Sequence, residues 1–408
     1  MSQCIKCKGN LKCGKPICQI IAKSESRIKI KELLKENLDS ISPPTVFIGS
    51  KLQYPKVNVG ILSPIKVEQE PSIYDNPYYW YKNKFNIQQV INLRTSLVNS
   101  RFQTTVKEIR NPKKFLELAQ EIGMSLKPAE VEINIKHINK QIRLDDISLP
   151  MGPSASLESL KVNSNIKIPQ KVDKVYSDTD LKAAEALKYL YKNNFNEQNL
   201  TQILSIGCLG LKKNRILVPT RNSITAVDDT IGKELITNIK EFKTIDNYQL
   251  FIGNYFGNYF YILLFPEVWS YELFELYSNS IWNLNELEMI TDHETYKGRT
   301  SYAENCAGGF YAARISLLEY LNSIKKQATA ILIRFITPEY SNPLGVFIVR
   351  QAVRNSFEQT PIQFDSKEKL MDFTNSKLKE EFNFELNNIT KNSVLINQLK
   401  SQTKLNWF

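Results

Sequence analysis

Four of the six cysteines crowd into the first eighteen residues, in the pattern Cys4-x2-Cys7-x5-Cys13-x4-Cys18. Gly9, Gly14 and Pro16 lie between them and let so short a chain curl around one ion. Four thiolates suit tetrahedral zinc, with each sulfur at about 2.3 Å from the metal. Because protein sulfur fills every position, no place is left for a reacting water, so the expected Zn2+ is structural. An iron–sulfur cluster and redox or disulfide use are the alternatives, although the ferredoxin run has a different spacing and a proline after its last cysteine. Cys208 and Cys306 stand apart, without the even spread of a disulfide framework. Lys6, Lys8, Lys12 and Lys15 interleave with the ligands. They outnumber the net −2 of a zinc tetrathiolate, so the folded head keeps a basic surface suited to phosphate.

The other end of the chain, QTKLNWF, carries Gln402, Leu405, Trp407 and Phe408 on a terminus. Aromatic and leucine side chains are costly to leave in water, and a short peptide that anchors them in a partner's apolar pocket is a common recognition mode. Folding back onto the parent domain is the other reading.

Between the ends, catalytic material is sparse. The two histidines are His137, in the alternating run VEINIKHINK that reads as an ordinary strand, and His293. The stretch DHETYKGR gathers Asp292, His293, Glu294, Tyr296 and Arg299, and reads as a polar loop. Carboxylate pairs occur at Asp145 with Asp146 and at Asp228 with Asp229. A two-metal nuclease needs several convergent acids. Read as strand residues, the members of each pair face opposite sides and supply one ligand at most, so a site would need Asp178 and Asp180 to converge with Asp228 or Asp229. Neither GxxxxGK[ST] nor a strand-placed GxGxxG is present, which excludes a P-loop ATPase. Arg299, Arg314, Arg334, Arg350 and Arg354, with Tyr296, Tyr302 and Tyr311 among them, are candidates for a phosphate-tracking and base-stacking surface. Buried ion pairs are the equal alternative for these arginines. Arg299 and Arg314 join the four head lysines as nucleic-acid-binding candidates.

The elements that must position these residues divide the chain into five parts. Residues 1–20 form the zinc-binding head, and 21–45 a basic, helical-looking segment ending in a proline-containing linker at 40–45. A two-part body occupies 46–290 and 291–400, and 402–408 is the tail. VFIGSKLQYPKVNVGIL from Val46 alternates as a hairpin does. LPMGPSASLESLKVNS (149–164) lacks a period and reads as a loop. Asp178 is expected to cap a helix over 181–192. Strand signals recur at 216–219, at 249–265 with Gly253 and Gly257 as turn or bulge positions, and at AILIRFI. A helix comes after Gly308 and Gly309, and Asp365 with Glu368 has capping-box spacing before Lys- and Glu-rich helices. The fold expected is α+β or mixed α/β: a small zinc-binding head, a two-part globular body and a helical C-terminal region.

At 408 residues, with 42% hydrophobic and 11% aromatic residues, the chain can fill more than one core. The net charge is +11, and residues 1–36 hold nine Lys or Arg against three Glu, so +6 of the excess sits in the head region. That concentration points to a polyanion, nucleic acid ahead of a membrane surface. There is no apolar run long enough to span a bilayer and no signal-like start, so a soluble, cytoplasmic and nucleoid-associated protein is expected.

Several internal segments are long and specific: FIGSKLQYPKVNVG (47–60), LPMGPSASL (149–157), KVDKVYSDTDLKAAEAL (171–187), VPTRNSITAVDDTIGKEL (218–235), GNYFYILLFPEVWSYE (257–272), YKGRTSYAENCAGGFYAAR (296–314) and PEYSNPLGVFIVRQAVR (338–354). With the cysteine head and the aromatic tail, nearly the whole chain resembles the archaeal Nre DNA-repair proteins. The resemblance implies a role in repair of damaged DNA, a two-part body, and association with the sliding clamp PCNA through the tail. The tail is similar to the clamp-binding motif Gln-x-x-Leu-x-x-aromatic-aromatic, but only Asn406 separates Leu405 from Trp407, which leaves the register of Trp407 and Phe408 open. The resemblance supplies no catalytic residue. A non-enzymatic, clamp-tethered DNA-binding factor is the leading expectation, and a clamp-recruited metal-dependent nuclease or other DNA-processing enzyme is the alternative.

Overall fold

The computed structural model describes residues 36–50, 52–67, 69–139, 147–277, 288–337, 339–340 and 342–401. They fall into two compact units. One runs to Ile231 and takes in Asn342–Gly345, and the other comprises Gly232–Ser341 and the chain from Val346 onward.

The first unit is built on six strands: β1 (Asn37–Ser42), β2 (Val46–Ile48), β3 (Lys56–Pro64), β4 (Leu97–Thr105), β5 (Ala129–Asn139) and β6 (Ser154–Val162), in the sheet order β1-β5-β6-β4-β3-β2. Neighbours are antiparallel except β4 with β6. The sheet curls until Ser40 and Ser42 of β1 donate their hydroxyls to the Pro64 and Leu62 carbonyls of β3, at 2.7 and 2.6 Å. Edge strand β2 is blunted because Gln202 Oε1 accepts from Val46 N and Thr220 Oγ1 from Ile48 N. Helices α1 (Pro77–Lys82), α2 (Ile87–Thr95), α3 (Lys114–Ser125), α4 (Gln170–Ser177), α5 (Ala183–Lys192) and α6 (Glu197–Ser205) complete the unit. Helix α7 (Thr220–Ile239) contains the division at Ile231 and Gly232.

The second unit has β7 (Tyr248–Tyr255), β8 (Asn258–Phe265), β9 (Ser270–Tyr277), β10 (Glu288–Glu294), β11 (Thr329–Ile336) and β12 (Ile362–Phe364), ordered β10-β9-β11-β8-β7-β12. Helices α8 (Gly308–Ser323) and α9 (Phe347–Phe357) pack on this sheet. Helices α10 (Lys367–Phe382), α11 (Asn387–Asn392) and α12 (Val394–Ser401) close a second core, in which Leu370, Leu378, Ile389 and Ile396 meet Leu263, Phe274, Ile333 and Phe335. Central β11 is buried at every residue, which is why TAILIRFI is a continuous apolar run and not an alternating one. Phe256 (φ 50°) and Gly257 (φ 71°) make the two-residue turn between β7 and β8, where positive φ is required. Gly253 is neither turn nor bulge: it lies mid-strand, and a Cβ there would stand 2.6 Å from Ser356 Cα, so its smallness lets α9 approach β7.

The α+β class and the hairpin from Val46 agree with the sequence reading, and several local expectations are corrected. Residues 37–42, read as helical segment and linker, form β1, because Leu38, Ser40 and Ser42 alternate inward. The expected loop over 149–164 contains β6, whose serines and alanine hide its apolar alternation, with Ala155, Leu157 and Leu160 buried. Residues 216–219 are extended but join no sheet, since Leu217 N bonds Val106 O and Val218 N bonds Ser205 O. Asp178 accepts from the N–H groups of Asp180 and Leu181 in a turn, and α5 starts later, at Ala183. Ser366 caps α10, leaving Asp365 to pair with Lys369 at 2.8 Å.

Candidate nucleic-acid interface

The stretch read from sequence as a polar loop begins as strand. Asp292, His293 and Glu294 end β10 opposite Leu273, Glu272 and Tyr271, and the chain then turns at Thr295 and Gly298, with Gly298 N donating to Thr295 O at 2.8 Å. Sequence period misses this strand because its edge position and its inward acids break the usual alternation.

Arg299 knots the loop that leaves this turn. Its Nη2 lies 2.9 Å from Asp292 Oδ1, while its Nη1 donates to His293 O (2.9 Å), its Nε to Ser301 O (3.0 Å) and its Nη2 to Tyr302 O (3.0 Å). A guanidinium has five N–H donors in a rigid fork, and here they are directed at the loop's own backbone. Asp292 Oδ2 also accepts from Cys306 N at 2.8 Å, and Asn305 Nδ2 donates to Thr291 O at 2.8 Å. The loop is thereby held at both ends.

Two rings project from this braced loop. Tyr296 is 45% exposed and Tyr302 47%. Tyr302 stacks on Tyr311 of α8 with centroids 5.4 Å apart and planes 28° apart, and Tyr311 Oη accepts from Ala303 N at 3.0 Å. Lys240 stands with its Nζ 4.3 Å from the Tyr296 ring centroid and donates to Tyr296 O at 2.5 Å. Lys297 is exposed between the two tyrosines. Exposed phenol rings on a fixed support, with ammonium groups beside them, can stack unpaired bases and meet the adjoining phosphates.

Beneath the loop the charges are paired internally. Arg314 Nη1 sits 2.6 Å from Glu294 Oε2, with the two side chains 1% and 0% exposed. The Arg314 guanidinium lies over the rings of Phe310 and Tyr311, at 5.7 and 5.2 Å. Arg334 bonds Glu275 and also Asn258 Oδ1, at 3.0 Å from its Nε. Arg354 grips Glu319 with Nε and Nη2 at 3.0 and 3.1 Å, and Arg350 is buried. For Arg314, Arg334 and Arg354 the geometry favours structural ion pairs over phosphate contacts, and burial withdraws Arg350 from the surface. The Cys306 thiol beneath the loop is held well above its usual range, first by burial and then by the carboxylates of Glu275 and Asp292. Burial likewise pushes Cys208 up to about 12, so neither thiol is poised as a nucleophile.

The remaining expected site residues among those described form no metal-holding cluster. Asp228 and Asp229 lie on helix α7 and not on a strand, with Asp228 fully buried. Asp178 and Asp180 occupy an exposed turn, and His137 sits exposed at a register shift of β5. Among the described residues, no group of three or more His, Cys, Asp or Glu is placed to hold a metal ion. No described helix is long and apolar enough to cross a membrane. Cys4, Cys7, Cys13, Cys18, the interleaved lysines, Asp145, Asp146, Gln402, Leu405, Trp407 and Phe408 lie outside the described residues. Sequence reading missed Lys240, which meets Tyr296 across 56 positions with no local signal.

Residues 12–283 match the family model described as archaeal Nre, N-terminal, and residues 294–408 match archaeal Nre, C-terminal. The chain belongs to the archaeal Nre family. It is 40% identical over 365 residues to the DNA repair protein NreA of Archaeoglobus fulgidus, covering 89% of this chain and 90% of that one. It is 35% identical over 373 residues to the DNA repair protein NreB of the same organism, with 91% and 92% covered. To the DNA repair protein NreA of Haloferax volcanii it is 35% identical over 323 residues, with 77% of each covered. No solved structure matches the chain. The first Nre model ends at residue 283, after β9, and the second begins at Glu294, the last residue of β10, both well beyond the division of the compact units in α7.

Proposed function

We propose that this Nre-family protein acts in DNA repair as a binding factor: it grips single-stranded or unpaired DNA through the Tyr296–Tyr302 loop and engages the sliding clamp PCNA with its tail. The observation that carries the DNA contact is the pair of exposed tyrosines on a loop braced by Arg299, with Lys240 and Lys297 alongside. The repair role is supported by the names of the relatives, each called a DNA repair protein. Stacking of a base on an aromatic side chain contributes about 1–3 kcal/mol. Tyr296→Ala and Tyr302→Ala should each weaken binding to a single strand by roughly five- to a hundredfold, whereas Tyr→Phe at either position should retain it. Equal affinities for all four variants and the parent, read by fluorescence anisotropy, would remove the loop from the interface.

The head belongs to the same proposal. Cys4, Cys7, Cys13 and Cys18 would hold one structural Zn2+, which when bound supplies the folding energy of a segment too short for a core of its own. Metal analysis should find one zinc per chain, and Cys→Ser at any of the four should lose it while the main thermal transition stays in place. Bound iron, or no metal, is the contrary result. Lys6, Lys8, Lys12 and Lys15 then add a salt-sensitive phosphate contact.

A further inference from the structure

We infer that the first unit carries a separate cleft that binds one nucleobase, edge-on to its amide side chains, with the sugar left outside. The cleft measures about 120 Å3 and lies among the β1–β2 connection, the turn before α1, the end of α3 and the start of α6. At ~30 Å3 of liquid volume per water it has room for about four waters, the scale of a single ring and not of a nucleotide.

Three features set the ligand class. The first is charge: none of the lining residues is Lys, Arg or His, and its one carboxylate, Asp75, is already committed. Arg94 Nη1 lies 2.8 Å from Asp75 Oδ1 with side chains 3% and 6% exposed, and Gln198 Nε2 donates to both Asp75 oxygens at 3.2 Å. A phosphate or carboxylate finds no cation here, and a metal ion finds no free acid. The second is the walls. Pro43, Pro44, Pro77 and Pro128, with Leu126 and the Tyr78 ring, offer flat apolar faces. The third is the edge. Asn76 Oδ1 accepts from Tyr79 N (3.0 Å) and Asn196 Oδ1 from Asn199 N (2.9 Å), so each helix-capping amide spends its oxygen and keeps its Nδ2 donors. The Asn199 carboxamide has no hydrogen-bond partner among the described residues. Apolar faces with amide donors at the rim complement an uncharged planar ring bearing carbonyl acceptors, whereas an aliphatic ligand would leave those donors unpaired.

The base can come from a free nucleoside or from a DNA strand, and only the second source rests on the DNA-binding reading. Saturation-transfer NMR on the full chain with thymidine and the other three deoxynucleosides, and with deoxyribose 5-phosphate as control, tests the cleft. At least one nucleoside should receive saturation on its base protons and the control none. Asn199→Leu, which keeps the side chain's shape and removes its amide, should weaken that binding at least about tenfold with an unchanged melting temperature, and Asn199→Gln should retain it. Displacement by oligothymidylate but not by an abasic strand assigns a strand base as the source, and no displacement by either assigns the free nucleoside. Absence of saturation for every nucleoside, equal binding by Asn199→Leu, or binding of the control overturns the inference. Because strand binding is read separately through the Tyr296 and Tyr302 variants, a parent chain that binds the strand but gives no saturation of any nucleoside defeats the cleft alone.

Discussion

Arg314→Ala should destabilise the second unit by about 3–5 kcal/mol, because it strands the Glu294 carboxylate in the interior. Arg314 and Glu294 are 1% and 0% exposed at the side chain and meet at 2.6 Å, so the carboxylate loses its partner at a place away from bulk solvent. A typical domain has only ~5–15 kcal/mol in total, and this one change would consume a large share of it. Arg314→Lys should recover little, since a lysine cannot span the fork geometry or stack over Phe310 and Tyr311 as the guanidinium does. The double change Arg314→Met with Glu294→Leu removes both charges at similar volume and should restore most of the loss. Denaturant unfolding of the three variants separates the cost of a lone buried charge from the net worth of the pair. A loss below about 1 kcal/mol for Arg314→Ala would mean that the pair is open to water.

Deleting residues 402–408 should abolish binding to the clamp while fold, zinc content and DNA affinity stay as they are. Leu405, Trp407 and Phe408 give this short segment its apolar anchors. Burying two aromatic side chains of about 150–250 Å2 each, with a leucine beside them, yields several kcal/mol at ~25 cal/mol per Å2. Ordering the segment and losing its freedom then subtract a comparable amount, which predicts a moderate and exchangeable affinity. Calorimetric titration of PCNA with the intact chain, the truncated chain and a peptide of residues 400–408 checks this. The peptide should bind nearly as well as the intact chain, and a truncated chain of unchanged affinity would place the contact elsewhere. Because Asn406 alone separates Leu405 from Trp407, Phe408→Ala and Trp407→Ala will report which ring takes the deeper pocket.

What could be read from the sequence was what local chemistry decides. The hairpin from Val46, the helix after Gly308 and Gly309, and the apolar run of β11 all arise from period, turn residues and burial, and each is present. The family was legible in long segments that no single element explains, such as residues 296–314. The misreadings have a common origin in tertiary context. Ser154, Ala155 and Ser156 lack the bulk that marks a strand, yet they suit β6 because it is packed between β5 and β4. The arginines of the second half left two readings open, since their acids come from other elements: Glu294 for Arg314, Glu275 for Arg334 and Glu319 for Arg354. Tyr296 and Tyr302 were visible as residue types, but their exposure depends on Arg299 turning its donors inward to the loop backbone.

The most direct test of the proposed DNA contact is photo-crosslinking of the full chain to a single strand carrying 5-iodouridine, with the adducts located by peptide mass spectrometry. Adducts are expected on Tyr296 and Tyr302, lost in the corresponding alanine variants and reduced in Arg299→Ala, where the loop is no longer knotted to Asp292. Adducts confined to other parts of the chain, with residues 292–302 unmodified at saturating DNA, would contradict a DNA contact through this loop.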